Sequence, residues 1–185
     1  MTTAKQGLLT AEDLLRLDSQ GVKGELIRGV LHERMPSGGR HGEIAMALGF
    51  EIRGFVRPRR LGRVGGTDTG VLLERNPDTV REPDVYFISA ERMPLDVSVA
   101  GYYEVVPDLV AEIRSPSDSL TEFNEKIAMW LGEGARMVLA IFPDTSTATV
   151  HRADGSTLDL AYDDAFDGED VLPGFSCRLS DIFDL

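Results

Sequence analysis

The chain has 185 residues, 42% hydrophobic and 27% charged, which predicts one globular domain spanning 1–185 with a sizeable core. Its net charge of −12 argues against non-specific coating of nucleic acid, and no apolar run approaches membrane-spanning length. The N-terminus "MTTAKQGLLT" lacks the apolar stretch of a signal peptide, so a soluble, cytoplasmic protein is expected.

Along the chain, "TAEDLLRLDSQ" (10–20) reads as a short helix, with Thr10 as N-cap and Asp13 in the capping-box position. "ELIRGVLHERM" (25–35) alternates around "IRGV" and predicts a tight hairpin. Residues 39–59 place apolar side chains at 44, 45, 48, 52, 55 and 56, a helical spacing that should end near Pro58. Strands are expected at 69–74, 84–89 and 108–115. A helix should follow in 115–135, capped within Ser117–Ser119 and stopped by Gly132 and Gly134, with Phe123, Ile127 and Leu131 as its buried stripe. Strands at 136–142 and 147–153, "TLDLAY", an acidic loop and a last helical turn in "RLSDIFDL" complete the chain. This order predicts an α/β domain built on a mixed central sheet flanked by helices.

Cys177 has no partner for a disulfide and no CxxC zinc pattern, so a small packed side chain is expected. Charge is unevenly spread. "RGFVRPRRLGR" (53–63) holds five arginines (Arg53, Arg57, Arg59, Arg60, Arg63) and no acid, while 159–170 holds six acids and no base. The arginine strip is a candidate nucleic-acid-binding surface. Lysine is scarce, with only Lys5, Lys23 and Lys126, so the one lysine beyond the N-terminal region stands out.

Charge also appears where sheet core is expected. In "PDLVAEIRSPSDS" (107–119), Val110, Glu112 and Arg114 should share one strand face, and Leu109, Ala111 and Ile113 the other. A carboxylate on such a face needs a partner. Upstream, "REPDVYFIS" begins a strand at Asp84 after Pro83. Turn chemistry alone accounts for Pro-Asp at a strand start. Together with Glu112 and its basic neighbour, however, the two acids form the pattern of two hard-oxygen ligands around one site. Mg²⁺ is commonly held by one or two acids and substrate phosphate.

The segments "EPDVYFIS", "PDLVAEIRSPSD" and "EKIAMW" resemble the Uma-two family of putative restriction endonucleases, in the PD-(D/E)XK nuclease-like superfamily. "GELIRGVLHERMPS", "HGEIAMAL", "DTGVLL" and "DGEDVLPGF" extend the resemblance over nearly the whole chain. It implies a restriction-endonuclease-like fold and metal-dependent nuclease chemistry, with Asp84 and Glu112 as ligands of Mg²⁺ or of Mn²⁺ in its place, but no particular substrate. Hydrolysis of phosphodiester bonds in nucleic acid, DNA ahead of RNA, is the expected activity. One position departs from the superfamily pattern. Arg114 stands where Glu-x-Lys has its lysine, and arginine does not readily give up a proton. The resemblance implies that the lysine has moved to the next helix, as Lys126, with Arg114 assisting. The competing role for Lys126 is a solvated helix lysine paired with Glu122. Glu25, opening a strand, and His41, before a helix, are further catalytic candidates. An edge-strand charge and a loop histidine without a role are their ordinary alternatives. His32 and His151 read as sheet-edge residues. Ser115 and Ser117 read as turn and cap residues, with no triad partners.

By analogy with enzymes that cut two strands, a homodimer is expected. The main alternative is a catalytically inactive nuclease-fold binding or regulatory protein, favoured by the net charge and by Arg114. A metal-dependent enzyme acting on a small phosphate ester is a third option.

Overall fold

The computed structural model describes residues 7–184. Helix α1 (Ala11–Asp18) starts at Thr10, whose side chain accepts from Asp13 N–H while Asp13 accepts from Thr10 N–H, the expected capping box. The hairpin follows as β1 (Gly24–Ile27) and β2 (Val30–Glu33). Its two-residue turn puts Arg28 and Gly29 at φ 49° and 77°, the left-handed pair that matches strand twist. Helix α2 (Gly39–Arg59) carries Pro58 in its last turn and ends as Arg60 turns left-handed, at φ 55°.

Next come β3 (Gly62–Gly66), β4 (Val71–Glu74), β5 (Thr79–Arg81), β6 (Val85–Ser89) and β7 (Leu109–Ile113). Then follow α3 (Leu120–Gly132), capped by Ser119, and β8 (Met137–Phe142), β9 (Thr147–Arg152) and β10 (Thr157–Leu160). The chain closes with β11 (Ala165–Asp167), β12 (Ser176–Arg178) and α4 (Leu179–Phe183).

The main sheet has the order β10-β9-β8-β7-β6-β3. Only β7 and β8 run parallel, and α3 is the crossover between them. Alternation along β7 separates two cores. Leu109, Ala111 and Ile113 pack with Ile44, Leu48 and Ile52 of α2 and with Leu179 and Ile182 of α4. Val110 packs with Phe123, Ile127 and Trp130 of α3. A smaller sheet, β2-β1-β5-β4, packs against α1 through Leu14, Leu26, Leu72 and Val80.

Three sequence expectations are corrected. The buried stripe of α3 is Phe123, Ile127 and Trp130, with Leu131 only half-buried, because helical periodicity alternates steps of three and four. His151 is not at a sheet edge, since β10 covers β9. The acidic loop contains β11, which pairs with β12 and buries Phe166. Cys177 on β12 is buried, as expected, and burial pushes its thiol up to about 12.

Asp78 joins α1 to the small sheet. Its carboxylate, 5% exposed, accepts from Ala11 N–H at 2.8 Å and Asn76 N–H at 3.1 Å. The Ala11 N–H bond lowers its pKa against the opposing effect of burial. Asp78→Ala should therefore cost about 1–3 kcal/mol, the cost of orphaning buried donors, read from urea unfolding at neutral pH. The wild-type advantage is present above the ordinary Asp pKa near ~4 and should vanish as pH falls through the depressed value. An equal deficit at acid and neutral pH would refute this anchoring role.

Candidate active site

Antiparallel pairing of β6 and β7 matches Val85 with Ala111. Extending that register by one residue sets Asp84 opposite Glu112. Across such a pair, backbones lie about 5 Å apart. The Asp84 carboxylate turns to the β7 backbone, where Oδ2 accepts from Ile113 N–H at 2.8 Å. Both acids are buried, at 8% and 2% exposure.

Glu112 sits on the α3 face of the sheet, where Trp130 and Lys126 meet it. Trp130 Nε1–H donates to Glu112 Oε1 at 2.6 Å, and Lys126 Nζ lies 2.9 Å from Oε2. Spaced four apart, Lys126 and Trp130 project from the same side of α3. Lys126 also reaches Glu25 Oε1 at 3.4 Å and donates to the Glu82 carbonyl at 3.2 Å. One ammonium therefore ties the main sheet to the small one. Glu122, its alternative partner, accepts from Ser119 instead.

Glu25, on β1, is further held by Glu82 N–H at 2.8 Å and by Arg81 at 3.2 Å. His41 is not in a loop. It lies in the first turn of α2, buried, with Nε2 3.2 Å from Asp84 Oδ2. Its Nδ1 is buried without a hydrogen-bond partner.

The charges explain one another. Burial pushes the Glu112 carboxyl up to about 7, helped by Asp84 and Glu25 and opposed by Lys126. Burial works against the charge on Lys126, but Glu112, Glu25 and Asp84 outweigh it and raise its pKa. Glu25 is desolvated too, yet Lys126 and Arg81 hold its pKa below the ordinary value. His41 is raised despite burial, because Asp84 stabilises its protonated form.

Arg114 goes elsewhere. It lies past the end of β7, donates to the Asp118 carbonyl at 3.1 Å and faces Asp144 at 3.8 Å. Strand alternation does not govern it, and among the described residues it has no bond to Asp84, Glu112 or Lys126. The arginine strip also divides. Arg59 stacks on Phe55 at 4.1 Å, while Arg53, Arg57, Arg60 and Arg63 line a cavity. Trp130 is a site residue that the sequence signals only by its four-residue spacing from Lys126 on α3.

The acids suit a hard cation. Among the described residues, no hydrogen bond reaches Asp84 Oδ1, and each Glu112 oxygen keeps a second lone pair. No cluster of three or more His, Cys, Asp or Glu groups is arranged to hold a metal among the described residues. A cation would therefore rest on two acids plus water and phosphate oxygens, as Mg²⁺ commonly does.

A mixed sheet flanked by helices, with Asp, Glu and Lys gathered beside one strand end, defines a nuclease-like α/β protein. The Uma2 family, described as "Putative restriction endonuclease", matches residues 11–180, and the chain belongs to that family. A crystal structure described as a putative nuclease belonging to DUF820, from Anabaena variabilis ATCC 29413, has the same fold. It is 24% identical, with a TM-score of 0.80 over 95% of this chain and 97% of that one. No curated protein matches the sequence. Among the described residues, no helix is long and apolar enough to cross a membrane.

Proposed function

We propose that the protein is a divalent-cation-dependent endonuclease that hydrolyses phosphodiester bonds in nucleic acid, with DNA the expected substrate. The observation that carries this reading is Lys126 Nζ at 2.9 Å from Glu112 Oε2, on the strand beside Asp84. Asp84 and Glu112 would hold Mg²⁺ or Mn²⁺, which supplies Lewis-acid polarisation of the phosphoryl group and a more acidic water. Lys126 stays protonated, so it serves as a fixed positive charge that orients water and stabilises charge developing on phosphate. Glu25 keeps Lys126 aimed at Glu112. His41 supplies a proton-bearing nitrogen against Asp84 and holds that carboxylate in place.

A binding role without turnover is favoured by one feature. Both oxygens of Glu112 are already engaged, by Trp130 and Lys126. The test is cleavage of single- and double-stranded DNA and RNA at low salt in Mg²⁺ or Mn²⁺, with and without EDTA. Wild type should cut at least one substrate, EDTA should abolish cutting, and Asp84→Asn should lower the rate at least about 100-fold. No cation-dependent cleavage of any substrate by folded wild type would overturn the nuclease reading, and retained nucleic-acid binding in the same protein would favour the binding role.

A further inference from the structure

The cavity at the β3 edge is separate in composition from the carboxylate site. It measures about 400 Å³ and is lined by Arg53, Arg57, Arg60 and Arg63, with Tyr86 and Tyr103 as its aromatic wall. Local structure explains the convergence. Arg53 and Arg57 are one turn apart on α2. The left-handed Arg60 reverses the chain, and β3 brings Arg63 back alongside. Gly65 lets the Tyr86 phenol lie against β3, because a Cβ there would strike the ring. Tyr86 and Tyr103 meet edge to face at 5.7 Å.

The cluster lacks compensation in a protein of net charge −12. No carboxylate lines the cavity, and none of its four arginines forms an ion pair among the described residues. Arg28, Arg40, Arg59 and Arg178 form no ion pair among the described residues either, so what distinguishes these four is that they line one cavity. Arg63 is fixed by donating to the Pro94 and Val97 carbonyls, yet its Nε is buried without a partner. Four guanidiniums lining one cavity suit an anion of more than one charge. The volume lies in the lower range of small-ligand sites, so it suits a chain end better than a strand passing through.

We infer that this cavity binds the phosphorylated terminal nucleotide of a nucleic-acid strand, with the arginines on its phosphate monoester and the tyrosines beside its sugar or base. This rests on the nuclease reading and narrows its substrate to strands with a phosphorylated end. Tyr86, on β6, follows Asp84 by two residues, about 7 Å along an extended chain, with Asp84 just before the strand begins. A strand held here by its end phosphate presents a bond within the first few nucleotides to the carboxylate site.

The experiment is fluorescence anisotropy in EDTA at low salt, so that binding is read without cleavage. The probes are labelled oligonucleotides ending in a 5′-phosphate, a 3′-phosphate or hydroxyls only, with inorganic phosphate as competitor. One phosphorylated end should bind about tenfold tighter than the hydroxyl-ended strand, on the scale of charge-assisted bonds. Arg57→Ala and Arg60→Ala should erase that difference, and Arg178→Ala, an exposed arginine outside the cavity, should keep it. Equal binding of all ends overturns the inference. So does an equal loss on every probe in the Arg57 and Arg60 variants, which marks a general electrostatic strip. Inorganic phosphate that binds without any end preference overturns the nucleotide assignment. Because metal is absent, cleavage in Mg²⁺ without end preference removes only this inference, and end preference without cleavage removes only the nuclease reading.

Discussion

Glu112→Gln should make the metal-free protein more stable at neutral pH while abolishing cleavage. The side chain is 2% exposed, and burial raises its carboxyl to about 7, above the ordinary value near 4.5. Between those values the folded state binds a proton that the unfolded state has released, so stability falls as pH rises. Below about pH 4 both states carry a neutral carboxyl, and glutamine imitates it, so the variant should match wild type there. Above about pH 7 wild type bears the full cost of the buried charge, on the order of 3 kcal/mol, and the variant does not. Urea unfolding in EDTA at pH 4, 5.5 and 7.5 reads the divergence. A variant less stable than wild type at every pH would mean that Lys126 and Trp130 make the ionised Glu112 favourable, with its pKa below the ordinary value. Loss of cleavage in the same variant would show that the destabilising charge is kept for chemistry.

Much of this arrangement is readable in the chain because charges stand in apolar contexts. Glu112 interrupts a strand otherwise made of Leu, Val, Ala and Ile, and Asp84 opens another beside Pro83. Lys126 stands out by rarity. The helices and the Arg28-Gly29 hairpin follow from caps, periodicity and turn chemistry, all local signals. What was not legible depends on contacts distant in sequence. β3 reads "GRVGG", with no apolar alternation, and becomes a strand only because β6 supplies partners from Val85 to Ser89. β5 has three residues, and β11 lies among acids with only Phe166 to bury. Alternation assigned Arg114 to the Glu112 face, but that rule holds only while the chain remains a strand, and β7 ends at Ile113. An i, i+4 count selected Leu131, whereas 3.6 residues per turn brings Trp130 inward. The arginine cavity needed the left-handed turn at Arg60, which no composition signal announces.

Lys126→Met should have the largest effect on stability of any single change at the site, and the effect should depend on pH. Methionine keeps much of the aliphatic stem but removes the charge that Glu112 and Glu25 share. Removing one partner of a buried pair costs about 3–5 kcal/mol, because the remaining charge lies uncompensated away from water. Glu112 escapes part of that cost by taking up a proton. Glu25 escapes less, because Arg81 and Glu82 N–H continue to hold it ionised. Lys126 has its pKa raised by its carboxylates, so its stabilisation is present below the ordinary lysine value and fades only as pH rises through the folded one. The deficit in the variant should therefore be full near pH 8 and shrink toward pH 4 as Glu112 takes up its proton, leaving the part that comes from Glu25, which Arg81 still holds ionised. Glu112→Gln should gain more stability in the Lys126→Met background than it gains in wild type, a coupling that a solvated lysine would not show. Chemical denaturation of both single variants and the double variant at pH 4 and pH 8 decides it. A Lys126→Met protein within about 0.5 kcal/mol of wild type at pH 8 would mean that the ammonium is a surface charge and that the Lys126–Glu112 pair is not formed in solution.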